Sequence, residues 1–200
     1  YKLSSFVYFN LYQLGQRSKW PALLKQKEIR LELGSGPKKG RNGWTCVDLS
    51  SADINWDLKK GIPLPDESVD EIYSSHLLEH IPFSSLLPFL RECKRILRPG
   101  GIFSACVPDA GQVIREYLSN EENAVREMPD WAKVNTGSKL DALNYLAYMG
   151  GEHHYMFDDE NLVKTLQFAG FENARLREFD QEYDLLSRDD YSLYVVAQKE

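Results

Sequence analysis

Two hundred residues with 42% hydrophobic and 12% aromatic content suffice for one domain with a sizeable core. The formal charge of −6 argues against a protein whose main task is gripping nucleic-acid phosphates, because such binders carry a basic footprint. The balance is uneven: residues 1–41 hold nine Lys/Arg against Glu28 and Glu32 alone, read first as a solvated basic face and second as an anion-binding surface.

Cys46, Cys93 and Cys106 all fall in apolar runs, without a C-x-x-C pair and odd in number, so neither a disulfide framework nor a zinc ribbon is expected. No apolar stretch approaches the roughly 18 residues of a membrane span, and the start lacks a signal-peptide pattern. The expected setting is cytoplasmic.

Taken in chain order, residues 3–14 place Leu3, Phe6, Val7, Leu11 and Leu14 at helical spacing. Such a helix packs over its domain or makes weak membrane or protein contact. After the connector to residue 28, residues 29–33 read as a buried first strand that breaks into Gly34-Ser35-Gly36-Pro37. Glycines there allow positive φ and let a ligand lie against the backbone at the carboxyl end of the strand. The second predicted strand, 44–48, ends in Asp48, whose carboxylate can accept both hydroxyl protons of a ribose.

A dinucleotide fingerprint needs a third glycine at the sixth position and a helix facing the pyrophosphate. Here the sixth position is Lys39, Pro37 has no N–H, and 37–44 cannot hold a helix of ordinary length. No G-K-[ST] follows, which excludes a P-loop. A nucleoside cofactor without phosphates, such as S-adenosylmethionine, suits the turn better.

Further along, a short strand is expected near 53–56, a proline-stiffened loop at 61–66 and a fourth strand at 69–73. Leu86, Leu87, Phe89, Leu90, Cys93, Ile96 and Leu97 mark an amphipathic helix closed by Arg98-Pro99-Gly100-Gly101, followed by a fifth strand at 102–107. Helices are expected near 110–119 and 138–148, within a less periodic stretch read as an insertion or lid. Asp158-Asp159-Glu160 opens a helix that Gly170 stops, and 172–179 and 191–198 read as a closing strand pair. The organisation is a single α/β domain: helix and connector 1–28, cofactor core 29–109, insertion 110–155, and a terminal helix and strand pair 156–200.

Leu31-Glu32-Leu33-Gly34-Ser35-Gly36-Pro37, Val47-Asp48-Leu49, Pro65-Asp66-Glu67-Ser68-Val69-Asp70-Glu71-Ile72, Leu78-Glu79-His80 and Leu97-Arg98-Pro99-Gly100-Gly101 form a recognisable series. It resembles the class I S-adenosylmethionine-dependent methyltransferases, closest to a small bacterial type with a shortened first helix and a His154-Tyr155-Met156 segment. The resemblance implies a Rossmann-like seven-stranded sheet of order 3-2-1-4-5-7-6 with the last strand antiparallel and helices on both faces. It also implies that Glu32, Leu33, Gly34, Ser35 and Gly36 face the methionine tail. Asp48 and Leu49 would then serve the ribose and Asp57 the adenine amino group, with Ser75 and His76 lining the cofactor.

Methyl transfer from a sulfonium is an in-line displacement with an activated leaving group, so the protein aligns the acceptor and removes its proton. A hydroxyl acceptor wants a nearby His or carboxylate. Candidates are His76, Asp109, His153 and His154, all expected at the pocket mouth. Each also has a structural role open to it: His76 and Asp109 as caps, His80 as a turn closer, and His153 and His154 beside the Gly150-Gly151 hinge. A His76/His80 metal pair lacks an evident third ligand, so no metal is expected. The reading is a methyltransferase that uses S-adenosylmethionine, releases S-adenosylhomocysteine and acts on a hydroxyl of a small or saccharide acceptor. An N- or C-methyltransferase of a small metabolite, or a non-catalytic binding module, are the alternatives.

Overall fold

Leu31 and Leu33 are fully buried in β1 (Arg30–Leu33), which runs parallel to β2 (Trp44–Asp48) on one side and β4 (Val69–Ser75) on the other. A strand covered on both faces leaves no side in water, and Leu31, Glu32 and Leu33 are all buried, as are residues 71–75 of β4. The computed structural model describes residues 15–37, 43–119 and 136–200. The expected 3–14 helix, residues 38–42 of the loop after β1 and residues 120–135 of the insertion lie outside the described residues.

Seven strands form one sheet in the order β3-β2-β1-β4-β5-β7-β6, as the resemblance implied. The edge strand β3 spans Ile54–Asn55, and β5 (Leu97–Pro108) pairs parallel with β4. The closing strands β6 (Arg175–Arg177) and β7 (Ser192–Gln198) are antiparallel to each other, and β7 is antiparallel to β5. Parallel β1, β2 and β4 therefore end together, at Leu33, Asp48 and Ser75, on the edge where ligands of open α/β sheets bind.

Helices cover the sheet. Short α1 (Trp20–Leu23) sinks Trp20 edge-on against Trp56, with ring centroids 6.0 Å apart. The helix α2 (Phe83–Ile96) buries Leu86, Phe89, Leu90, Cys93 and Ile96, the predicted stripe. It then departs from expectation: Leu97 is already extended, so Arg98-Pro99-Gly100-Gly101 begins β5 and does not cap the helix. Pairing of Val69 with Leu97 across a register shift draws these residues into the sheet. After β5 come α3 (Ala110–Leu118) and α4 (Leu140–Tyr148). The helix α5 (Asp159–Ala169) is capped by the Asp158 carboxylate, which accepts from Asn161 N–H at 2.7 Å, and is closed by Gly170. Among the described residues no helix is long and apolar enough to cross a membrane.

Candidate functional site

The glycine turn and Asp48 are one structure. Gly36 N–H donates to Asp48 Oδ2 at 2.9 Å, and Leu49 N–H donates to Oδ1 at 2.6 Å. Two backbone donors thus fix the carboxylate while leaving lone pairs on both oxygens for a ligand diol. Gly36 has φ +65° and open space where a Cβ would lie. Gly34, at φ +70°, differs: a Cβ there would meet Leu77 Cδ1 at 2.7 Å. The space that its missing side chain leaves is taken by Leu77, a residue that also lines the cavity beside the turn.

That cavity has a volume of about 760 Å³, a size suited to a small-molecule ligand. It collects Gly34, Ser35, Gly36, Asp48, Leu49, Asp57, Ser75, His76 and His154 from the expected set. Glu32 and Leu33 are buried beneath it; Cys46 Sγ donates to Glu32 Oε2 at 3.6 Å. Burial, with Glu32 and Asp53 nearby, pushes the Cys46 thiol up to about 11. Asp57 caps the short turn Leu58–Lys60 by accepting from Lys59 N–H.

The far wall is one that sequence alone did not indicate. Ser84, Ser85, Pro88 and Phe89 present one side of α2, and Pro88 cannot donate to the Ser84 carbonyl one turn back. Arg95 ties this helix to the loop 61–66: its guanidinium donates to Glu92, Asp66 and the carbonyls of Ile62 and Leu64. Glu92 in turn accepts Ile62 N–H at 2.8 Å. Arg188 brings a cation to the wall from the 186–191 turn, donating to Ser75 Oγ at 2.9 Å.

The histidines divide. His76 sits at φ +53° just beyond β4, with Nε2 3.0 Å from Ser192 Oγ and Nδ1 3.5 Å from Glu79 Oε1. Burial, then the Arg188 cation, pushes it down to about 3, so the ring is neutral. His154 is exposed on the cavity wall. His153 is buried behind it, with Nδ1 2.6 Å from the Leu146 carbonyl oxygen. Asp109 is also away from the wall and caps α3, accepting Gln112 N–H at 2.9 Å, with Arg115 at 3.5 Å.

His80 does not close its own turn with a ring nitrogen. Its Nδ1 lies 3.0 Å from the carbonyl oxygen of Glu152, and its ring meets that of His153 at 4.8 Å. Glu79 is fully buried beside these two rings. Burial pushes its carboxyl up to about 8.

A seven-stranded sheet of this order, with a glycine turn and an acidic residue closing the next strand, defines the class I methyltransferase fold. Comparison with known proteins agrees. Residues 33–105 match the family described as "Methyltransferase domain". A probable S-adenosylmethionine-dependent methyltransferase of Mycolicibacterium smegmatis is 42% identical over 48 residues, spanning 24% of this chain and 18% of that protein. Among solved structures, a possible histamine N-methyltransferase of Thermotoga maritima is 17% identical with a TM-score of 0.56, covering 99% of this chain and 96% of its own. The 1,6-didemethyltoxoflavin-N1-methyltransferase of Burkholderia thailandensis, solved with bound 1,6-didemethyltoxoflavin and S-adenosylhomocysteine, is 15% identical with a TM-score of 0.52; the match covers 94% of this chain and 78% of that one.

Residues 33–105 therefore match a methyltransferase domain, on a sheet with the topology of the class I S-adenosylmethionine-dependent methyltransferase fold. The residues present are compatible with that cofactor: the Asp48 carboxylate, fixed by Gly36 N–H and Leu49 N–H, can accept from a diol, and there is open space at the Gly36 turn. Asp57 stands further along the same wall.

Proposed function

We propose that the protein transfers the methyl group of S-adenosylmethionine to a hydroxyl of a small or saccharide acceptor in the cytoplasm. The observation that carries this reading is the placement of His76 and His154 on the cavity whose floor is the Gly36–Asp48 turn. When bound, the cofactor supplies an electrophilic methyl on a sulfonium. Glu32 and Leu33 underlie the turn, while Gly34, Ser35, Gly36, Asp48, Leu49 and Asp57 hold the nucleoside and its amino-acid tail. Ser75 and His76 border it on the acceptor side. His76 and His154 are the candidates to take the acceptor proton, with the neutral ring of His76 backed by Glu79. His153 and Asp109 stand behind the wall and act through the segments they fix.

The test is a transfer assay against a panel of hydroxyl and amine acceptors, read by S-adenosylhomocysteine release. His76→Ala and His154→Ala are expected to lower kcat for the hydroxyl acceptor by about 100-fold or more, without a matching loss of S-adenosylhomocysteine affinity. Unchanged kcat in both variants, or turnover of amines alone, would refute the hydroxyl reading. S-adenosylhomocysteine binding without turnover of any acceptor would point to a binding module.

A further inference from the structure

Glu79 is 1% exposed, and neither of its carboxylate oxygens has a hydrogen-bond partner. An ionisable group that is buried and unpartnered is costly, so something must compensate it. Three imidazoles approach it: His76, with Nδ1 3.5 Å from Oε1, and the pair His80 and His153, which group with it as possible metal ligands. The nearest ligand-type atoms of Glu79, His80 and His153 all lie within 4.8 Å of one another, and His80 Nε2 is 3.9 Å from Glu79 Oε1. From the geometry of these three residues we infer a divalent metal site, Glu79/His80/His153, for a first-row transition ion of the zinc type.

The ring nitrogens are prepared for such an ion. His80 Nδ1 lies 3.0 Å from the Glu152 carbonyl oxygen and His153 Nδ1 2.6 Å from that of Leu146. A carbonyl can only accept, so each Nδ1 carries the proton and each Nε2 keeps its lone pair. This is how metal-binding histidines are oriented by their surroundings. The two chain segments are also locked together, since His154 and Tyr155 N–H both donate to the Glu79 carbonyl, at 2.8 and 3.2 Å. Two imidazole nitrogens and one carboxylate oxygen match the donor set of catalytic zinc centres, and imidazole suits zinc better than magnesium or calcium. Bonds of about 2 Å draw such ligands to roughly 3.3 Å of one another, which side-chain movement on the order of 1 Å achieves.

Three protein ligands leave a position open. His80 belongs both to this cluster and to the cavity wall, so the ion lies at the acceptor end of the cavity. There it can ligate and polarise an acceptor oxygen. That role rests on the hydroxyl-acceptor reading; the metal site does not.

The 200-residue chain, stripped with chelator and titrated with ZnCl2 by calorimetry, is expected to bind one equivalent. Glu79→Gln and His153→Ala should each weaken binding by about 100-fold or more, whereas His154→Ala, outside the cluster, should bind as wild type. Co²⁺ loading should give visible ligand-field bands that Glu79→Gln abolishes. S-adenosylhomocysteine affinity is measured alongside, so that loss of zinc with retained nucleoside binding reports the site and not unfolding. Absence of 1:1 binding of Zn²⁺ and Co²⁺ by the wild type, or wild-type zinc affinity in Glu79→Gln, would overturn the proposal. Zinc binding without S-adenosylhomocysteine binding would support the site while removing the proposed function.

Discussion

Gly36 N–H and Asp48 Oδ2 meet at 2.9 Å, so the turn after β1 and the end of β2 set each other's position. Gly36 is needed for its φ of +65° and not for space, since a Cβ would touch nothing. Gly36→Ala is therefore expected to cost about 1–2 kcal/mol, the strain of a left-handed alanine. Chemical denaturation measures this. A larger loss would mean that the turn tolerates a side chain less well than its open surroundings indicate.

Gly34 makes the opposite prediction. A methyl group there collides with Leu77 Cδ1, Cβ and Cγ at 2.7–2.9 Å. Gly34→Ala should destabilise the fold by more than Gly36→Ala, and Leu77→Ala should return part of that loss. A double-mutant cycle reads the coupling, expected at about 1–3 kcal/mol. Strict additivity would show that the two residues do not compete for the same space.

The fully buried Asp184 side chain accepts from both Nη atoms of Arg177 at 2.5 and 2.9 Å, from Tyr73 OH at 2.8 Å and from Asp180 N–H at 2.8 Å. Asp184→Ala leaves the Arg177 cation without its counter-ion, at an expected cost of about 3–5 kcal/mol in denaturation. A loss below about 1 kcal/mol would mean that the arginine finds water or another acceptor.

Hydrogen bonding from Arg95, opposed by partial burial, holds the Glu92 carboxyl below its usual range. A lowered folded-state value contributes stability above the ordinary carboxylate range, and that contribution is lost as pH falls through the folded value. The stability gap between wild type and Glu92→Gln should accordingly be full at pH 7 and shrink below about pH 4.5. Denaturation midpoints across this range check it; a gap that widens on acidification would reverse the sign.

Local signals made much of the fold legible. The strand at 30–33, Asp48 at the end of β2, the α2 stripe from Leu86 to Ile96 and the Asp158 and Gly170 caps each follow from periodicity or capping chemistry. Site features formed by distant contacts were not legible. Nothing local marks Arg188 as a neighbour of Ser75, or Leu77 as the occupant of the space beside Gly34. The same holds for Glu79, which gains His153 only because the chain returns through Gly150 and Gly151 and donates two N–H groups to the Glu79 carbonyl. The error at Arg98-Pro99-Gly100-Gly101 has a physical source as well: a basic, glycine-ended segment looks like a helix terminus, yet sheet pairing at Leu97 claims it.

The central claim, a phosphate-free nucleoside cofactor held by the Gly36–Asp48 pair, is tested most directly by calorimetry of S-adenosylhomocysteine binding to wild type and Asp48→Ala. The account predicts 1:1 binding by wild type, weakened by about 10- to 100-fold when the two hydrogen bonds to a charged acceptor are lost. No binding by the intact protein, or equal affinity in the two proteins, would contradict it.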